Sequence, residues 1–176
     1  LRTVKFQSTS DNPTALAAAR TITWRVNDDG TANTLSAPVT STINITPVND
    51  APVATAGGIL AYTENDAPKV IDTTITLSDV DNSNLLNATV SISAGFTAGD
   101  VLSFTPQGGI ISTYDAATGV LSLSWNGSIS NYQNALRAVK FSSTSDNPTA
   151  TAATRTITWV VDDNSSVNNL SVPVTS

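Results

Sequence analysis

Four short acidic stretches hold the residues whose types and spacing suit chemistry: Asn49-Asp50, Glu64 with Asp66, Asp79-Val-Asp81, and Asp162-Asp163. Thirteen of the fourteen acids are Asp and only Glu64 is Glu. Short carboxylates in loops suit a hard cation such as Ca2+, which takes six to eight oxygen ligands. Asp79 and Asp81 follow a strand pattern, and alternation lets both carboxylates point the same way. Asp162-Asp163 closes another strand that can return to the same end. Crowded carboxylates repel, and a divalent cation turns that repulsion into a clamp. Taken singly, each stretch also reads as a solvated turn, because Asp favours turns.

Other chemistries lack their residues. The chain has no His, Cys or Met, so imidazole bases, thiolates and disulfides are absent. Nothing in the pattern brings Glu64 into one cleft with Asp79 or Asp100 for paired-carboxylate hydrolysis, and no enzymatic activity is expected. Gly57-Gly58 and Gly108-Gly109 have no basic neighbour and read as turns rather than phosphate cradles. Eight basic against fourteen acidic residues give a net charge of −6, which argues against a nucleic-acid partner. No apolar run approaches the ~18 residues of a membrane span, so no membrane insertion by this segment is expected. The Asp-, Ser-, Thr- and Asn-rich, Lys-poor composition fits an extracellular or cell-surface protein.

The elements that must position these acids occur twice. Residues 1–41 and 136–176 align without a gap, and 29 of 41 positions are identical at an offset of 135 residues. Self-similarity at that period is a tandem array of whole domains. Residues 1–50 are expected to form the C-terminal part of one repeat, ending in a Pro-bracketed linker at 47–52. Residues 51–176 are expected to form a nearly complete second repeat lacking its last strand. Arg20–Val26 and Arg155–Val161 alternate with period 2, with Trp24 and Trp159 on the apolar face. Further strands are expected at Val4–Ser8, Pro38–Thr46, Ile59–Tyr62, Val70–Leu77, Ala88–Ser93, Val101–Phe104, Ile110–Tyr114, Val120–Trp125 and Val139–Ser143. Ser130-Asn131-Tyr132-Gln133 has the capping-box spacing and predicts one short helix ending near Leu136. Many short strands with regular turn signals predict an all-β sandwich with Greek-key connections.

Several motifs carry a resemblance. The linker Val48-Asn49-Asp50-Ala51-Pro52, followed by Glu64 and then Asp79-Val-Asp81, is similar to the linker and ligand spacing of cadherin repeats. Tyr62-Thr-Glu-Asn-Asp66, Leu77-Ser-Asp-Val-Asp81, Asp115-Ala-Ala-Thr-Gly-Val-Leu121, Tyr132-Gln-Asn-Ala-Leu-Arg137 and Thr144-Ser-Asp-Asn-Pro148 extend it over nearly the full period. The repeat resembles the cadherin-like tandem repeats of very large bacterial surface and RTX-type adhesins. The resemblance implies an Ig-like, cadherin-like fold and a calcium-stiffened spacer whose partners are neighbouring repeats of the same protein. Asn49 and Asp50 would supply linker ligands, and Asp79, Asp81 and Asp162 or Asp163 the top of the domain. Glu64 and Asp66 would contribute to the base half of an interdomain site. Two alternatives stand beside it. The duplicated tails allow strand exchange between copies, which would build an extracellular fibre. A glycan-binding module would need an aromatic platform, for which Trp125 is the free candidate.

Overall fold

The structure is a computed structural model that describes residues 3–176; Leu1 and Arg2, at the head of the first copy, lie outside the described residues. The chain divides into two compact units, residues 1–48 and 49–176. The first holds β1 (Ala19–Trp24) and β2 (Val39–Asn44). The second holds β3 (Val53–Thr55), β4 (Lys69–Val70), β5 (Thr76–Ser78), β6 (Asn84–Ala94), β7 (Asp100–Ser103), β8 (Ile111–Asp115) and β9 (Val120–Ser128). Then come the helix α1 (Ile129–Leu136), β10 (Lys140–Ser143), β11 (Thr156–Asp162) and β12 (Val174–Thr175).

In the first unit β1 and β2 form an antiparallel hairpin, with Trp24 opposite Val39 and Ala19 opposite Asn44. None of its apolar residues is fully buried: Ile22, Trp24 and Ile43 are half-buried, Val39 is 62% exposed, and Val26, just after β1, is 55% exposed. The strand expected at Val4–Ser8 has no ladder there. Its copy in the second unit, β10, pairs with β4 and β7, and among the described residues the first unit contains no counterpart of either. An alternating sequence becomes a strand only where a neighbour takes its hydrogen bonds.

The second unit is all-β apart from α1, built on a five-stranded sheet in the order β12-β11-β6-β9-β8 and a three-stranded sheet in the order β4-β10-β7. β3 and β5 add a two-stranded piece. The two larger sheets share one core. Ile157, Trp159 and Val161 alternate inward from β11 and meet Val90 and Ile92 of β6 and Leu121 and Leu123 of β9. Leu102 and Phe141 face them from the other sheet. Each such side chain stabilises the fold by roughly 1.5–3 kcal/mol when fully buried.

Four local expectations are corrected. The helix is capped by Ser128, whose Oγ accepts from Asn131 N at 3.2 Å, and not by Ser130. Gln133, expected to reach back to its own helix, instead accepts from Leu77 N at 3.0 Å. The strand expected at Val70–Leu77 is cut by a turn in which Asp72 accepts from Thr74 N at 2.7 Å. Ile59–Tyr62 joins no ladder. It is fastened by side chains instead: the Tyr62 hydroxyl donates to Asp66 O at 2.9 Å, and the ring packs edge-on against Phe141 at 5.0 Å.

Candidate functional site

At the C-terminal end of β11 the chain gathers Asn49, Asp79, Asp81, Asn82 and Asp163, all within the second unit. Their positions follow from local turns. Asp79 leaves β5 and caps its own loop, Oδ1 accepting from Asp81 N at 3.1 Å and Asn82 N at 2.9 Å. Asp163 leaves β11 and accepts from Ser165 N at 2.8 Å. The next turn carries Asn164 at φ 63°, a left-handed conformation that Asn tolerates better than most residues.

Side-chain amides tie these turns together. Asn82 Nδ2 points at three oxygens: Asn49 Oδ1 at 2.6 Å, Asp163 Oδ2 at 2.9 Å and Asp81 Oδ1 at 3.4 Å. Asn49 Nδ2 also donates to Asp163 Oδ2, at 2.9 Å. The Ser165 hydroxyl donates to Asn49 Oδ1 at 2.8 Å, and Asp50 N donates to Asp81 Oδ2 at 3.1 Å. One oxygen is left over: Asp79 Oδ2 is buried with no partner among the described residues. Burial pushes the Asp79 carboxyl above its usual range, and the neighbouring Asp81 carboxylate adds to the effect. Its two backbone N–H bonds pull the other way and are outweighed.

Of the residues expected to act together, Asn49, Asp79, Asp81 and Asp163 share this network, and Asp50 joins through its backbone. Asp162 is adjacent in sequence but turns to Asn164 N at 2.7 Å and Asn169 Nδ2 at 3.0 Å. Glu64 and Asp66 are placed apart from it. Asp66 pairs with Lys69 at 2.5 Å and accepts from Thr63 N, both of which hold its carboxyl below the ordinary range. Glu64 is exposed and lines a cavity beside the N-terminal end of β11. Asn82 was missed as a site residue; its place directly after Asp79-Val-Asp81 was the available signal.

The cluster offers oxygen alone: three carboxylates and the amide oxygens of Asn49 and Asn82. Among the described residues no three acidic side chains converge as a ready ligand set. The amides must therefore supply part of any coordination sphere. The Asn82 amino group occupies the point of convergence, and half a turn of that amide presents Oδ1 in place of Nδ2. The buried, unpartnered Asp79 Oδ2 fits a missing positive charge, so the donor set suits a hard divalent cation.

Two other polar centres are structural. Asp100, weighed above as a hydrolytic partner, is buried against Arg155, Nε to Oδ2 at 2.6 Å. Gly57 N and Gly58 N donate to Asp72 Oδ2 at 3.0 and 2.7 Å, so this glycine pair cradles a carboxylate of its own chain. Trp159 is fully buried, as its strand position predicts, while Trp125 is 54% exposed.

Halomucin of Haloquadratum walsbyi (strain DSM 16790 / HBSQ001) is 35% identical over 125 residues, covering 65% of this chain. The chain spans about 1% of the length of that curated relative. No family model and no solved structure matches. Among the described residues no helix is long and apolar enough to cross a membrane.

Proposed function

We propose that the chain is a spacer segment of a large extracellular surface protein, built from Ig-like, cadherin-like Greek-key repeats and stiffened by calcium where each repeat begins. Its role on this reading is mechanical and not catalytic. The tandem copies and the match to a small part of a very long relative support the spacer role.

The observation that carries the cation is the buried, unpartnered Asp79 Oδ2 with the Asp81 carboxylate as its neighbour, Asp81 and Asp163 being linked in turn through the Asn82 amide. Asp79, Asp81 and Asp163, with the amide oxygens of Asn49 and Asn82, would hold the ion. Bound calcium would supply the positive charge that the three carboxylates lack. Asn49 is the first residue of the second unit and directly follows the last residue of the first. Holding it fixed shortens the free hinge between repeats. Neighbouring repeats of the same protein are then the partners.

Calorimetric titration tests this. Saturable calcium binding by the full chain, lost in Asp79→Asn, is the expected result. Equal heats from the two proteins, or none from either, would remove calcium from the account.

A further inference from the structure

The Gly108-Gly109 turn is built against Trp125. Both glycines hold positive φ, 59° and 84°, and Ile110 N donates to Gln107 O at 2.9 Å. That is a type I′ turn, which requires positive φ at both central residues. A Cβ added to Gly109 would stand 2.6 Å from Trp125 Nε1 and 2.9 Å from each carbon bonded to it, Cδ1 and Cε2. Two neighbours barely farther than Nε1 itself put that point over the ring; an approach along the ring edge would set them well back. The glycine backbone therefore lies on one face of the indole. Trp125 is nevertheless 54% exposed, so the opposite face meets solvent.

The strand beneath holds the ring in place. Leu121 and Leu123 alternate inward, and regular alternation would carry Trp125 into the core after them. A bulge prevents it: between the pairs Leu85–Gly127 and Asn87–Ser124, Trp125 and Asn126 stand opposite Leu86 alone. Bulges re-aim side chains in this way. The buried Tyr132 pins the bulge, its hydroxyl lying 2.5 Å from Leu86 O and 2.7 Å from Trp125 O. A platform ordered before its ligand arrives costs less entropy on binding.

The groups around the ring define the class of ligand. Trp24 and Trp159 each donate Nε1 to a serine hydroxyl. Trp125 Nε1 has no acceptor among the described residues. Asn131 is exposed and borders the same turn, its Cγ and Nδ2 3.4 Å from where a Gly108 Cβ would stand. Asn126 is exposed in the bulge; its Oδ1 accepts from Asn84 Nδ2 at 3.0 Å, which leaves its own amino group for a ligand. Charged side chains are missing. No Asp, Glu, Lys or Arg occurs in 82–99, 101–114 or 116–136, the stretches that supply Asn84, the turn, the bulge and Asn131. We propose that Trp125 is the platform of a carbohydrate-binding site. A neutral sugar ring lays its C–H face on the open side of the indole, and its hydroxyls bond Nε1 and the Asn126 and Asn131 amides. All these residues lie between 84 and 132 within the second unit, and the site depends neither on the cation nor on the spacer role.

The test follows the indole N–H magnetic-resonance signals of the isotope-labelled full chain as cellotetraose, mannotetraose or chitotetraose is added, with tetragalacturonate as the charged control. Trp125→Phe identifies the Trp125 signal by its loss. At least one neutral sugar should move that signal saturably and leave those of Trp24 and Trp159 in place. Trp125→Ala should bind the same sugar at least about tenfold more weakly, and Trp125→Phe should keep part of the affinity. Asn131→Ala should weaken binding about threefold, as the loss of one hydrogen bond does. An unchanged signal from the buried Trp159 shows that each variant is folded. Silence of the Trp125 signal across all three neutral sugars, even at millimolar concentration, would overturn the proposal. So would equal affinity in Trp125→Ala, or a preference for tetragalacturonate. A Trp125 signal that moves with protein concentration and not with sugar would make this face a protein contact and overturn it too.

Discussion

Asn82 donates its side-chain amide to Asp163 across 2.9 Å, joining turns 81 residues apart in sequence. The same amino group also faces Asn49 and Asp81. One amide thus stands among oxygens from three segments and performs weakly what a cation would perform strongly. Charge-assisted contacts hold the metal-free cluster together, but Asp79 Oδ2 remains without a partner.

Asp79→Asn should separate charge from shape. The amide oxygen can keep the bonds from Asp81 N and Asn82 N, so in chelator the variant should match or exceed wild-type stability. Asp79→Ala loses the oxygen that accepts both bonds and should cost about 1–3 kcal/mol under the same conditions. Urea melts in chelator distinguish the two. An equal loss in both variants would mean that the negative charge itself stabilises the metal-free loop.

The repeat supplies an internal control for the buried ion pair. Arg155 and its copy Arg20 both bond the carbonyl of a preceding proline, Pro148 at 2.6 Å and Pro13 at 2.5 Å. Arg155 alone meets a buried carboxylate, Asp100. Arg155→Ala should destabilise the second unit by about 3–5 kcal/mol, because it leaves that charge buried and uncompensated. Arg20→Ala should leave the same unit's urea midpoint unchanged.

Acid should act through Asp72. Burial opposes its ionisation, but bonds from Ser176, Thr74, Gly57 and Gly58 outweigh burial and hold the carboxyl well below its ordinary value of 3.8. A group depressed in the folded state contributes stability that is present above its unfolded pKa and lost as pH falls through the folded one. The loss attributable to Asp72 should begin below about pH 4. Asp72→Asn should be less stable at neutral pH and show a shallower acid limb in thermal melts from pH 7 to pH 2.

Alkali should act through Tyr132. Burial raises its phenol to about 12, and its hydroxyl lies 2.5 Å from Leu86 O and 2.7 Å from Trp125 O. The raised pKa contributes stability that is whole below the unfolded value near 10 and declines as pH rises toward about 12. Tyr132→Phe should cost about 1–2 kcal/mol at neutral pH and remove that part of the alkaline decline. Melts from pH 8 to pH 12 read both effects.

Periodicity exposed the strands that have partners, because β-pairing and burial impose the alternation that a reader sees in Thr156–Val161. It misled at Val4–Ser8, where the same alternation has no neighbouring strand. The helix was legible from its Ser-rich start, but two serines compete there, and only the packing of Gln133 against Leu77 N decides for Ser128. In the candidate site, Asp79, Asp81 and Asp163 were legible as acids flanking strands. Asn82 is legible only by its place directly after Asp79-Val-Asp81, since an amide in an Asn-rich chain carries no compositional signal. Glu64 and Asp66 sit apart from that cluster because their segment is fastened through Tyr62 and Lys69 beside Ser143 and Phe141.

Thermal unfolding of the full chain in millimolar calcium and again in chelator, with Asp79→Asn alongside, tests the calcium clamp most directly. Calcium at 100 times its Kd should stabilise the wild type by about 2.7 kcal/mol, a rise of several degrees, and leave the variant unmoved. Coincident wild-type melts with and without calcium would contradict the central claim and reduce the cluster to hydrogen-bonded turns.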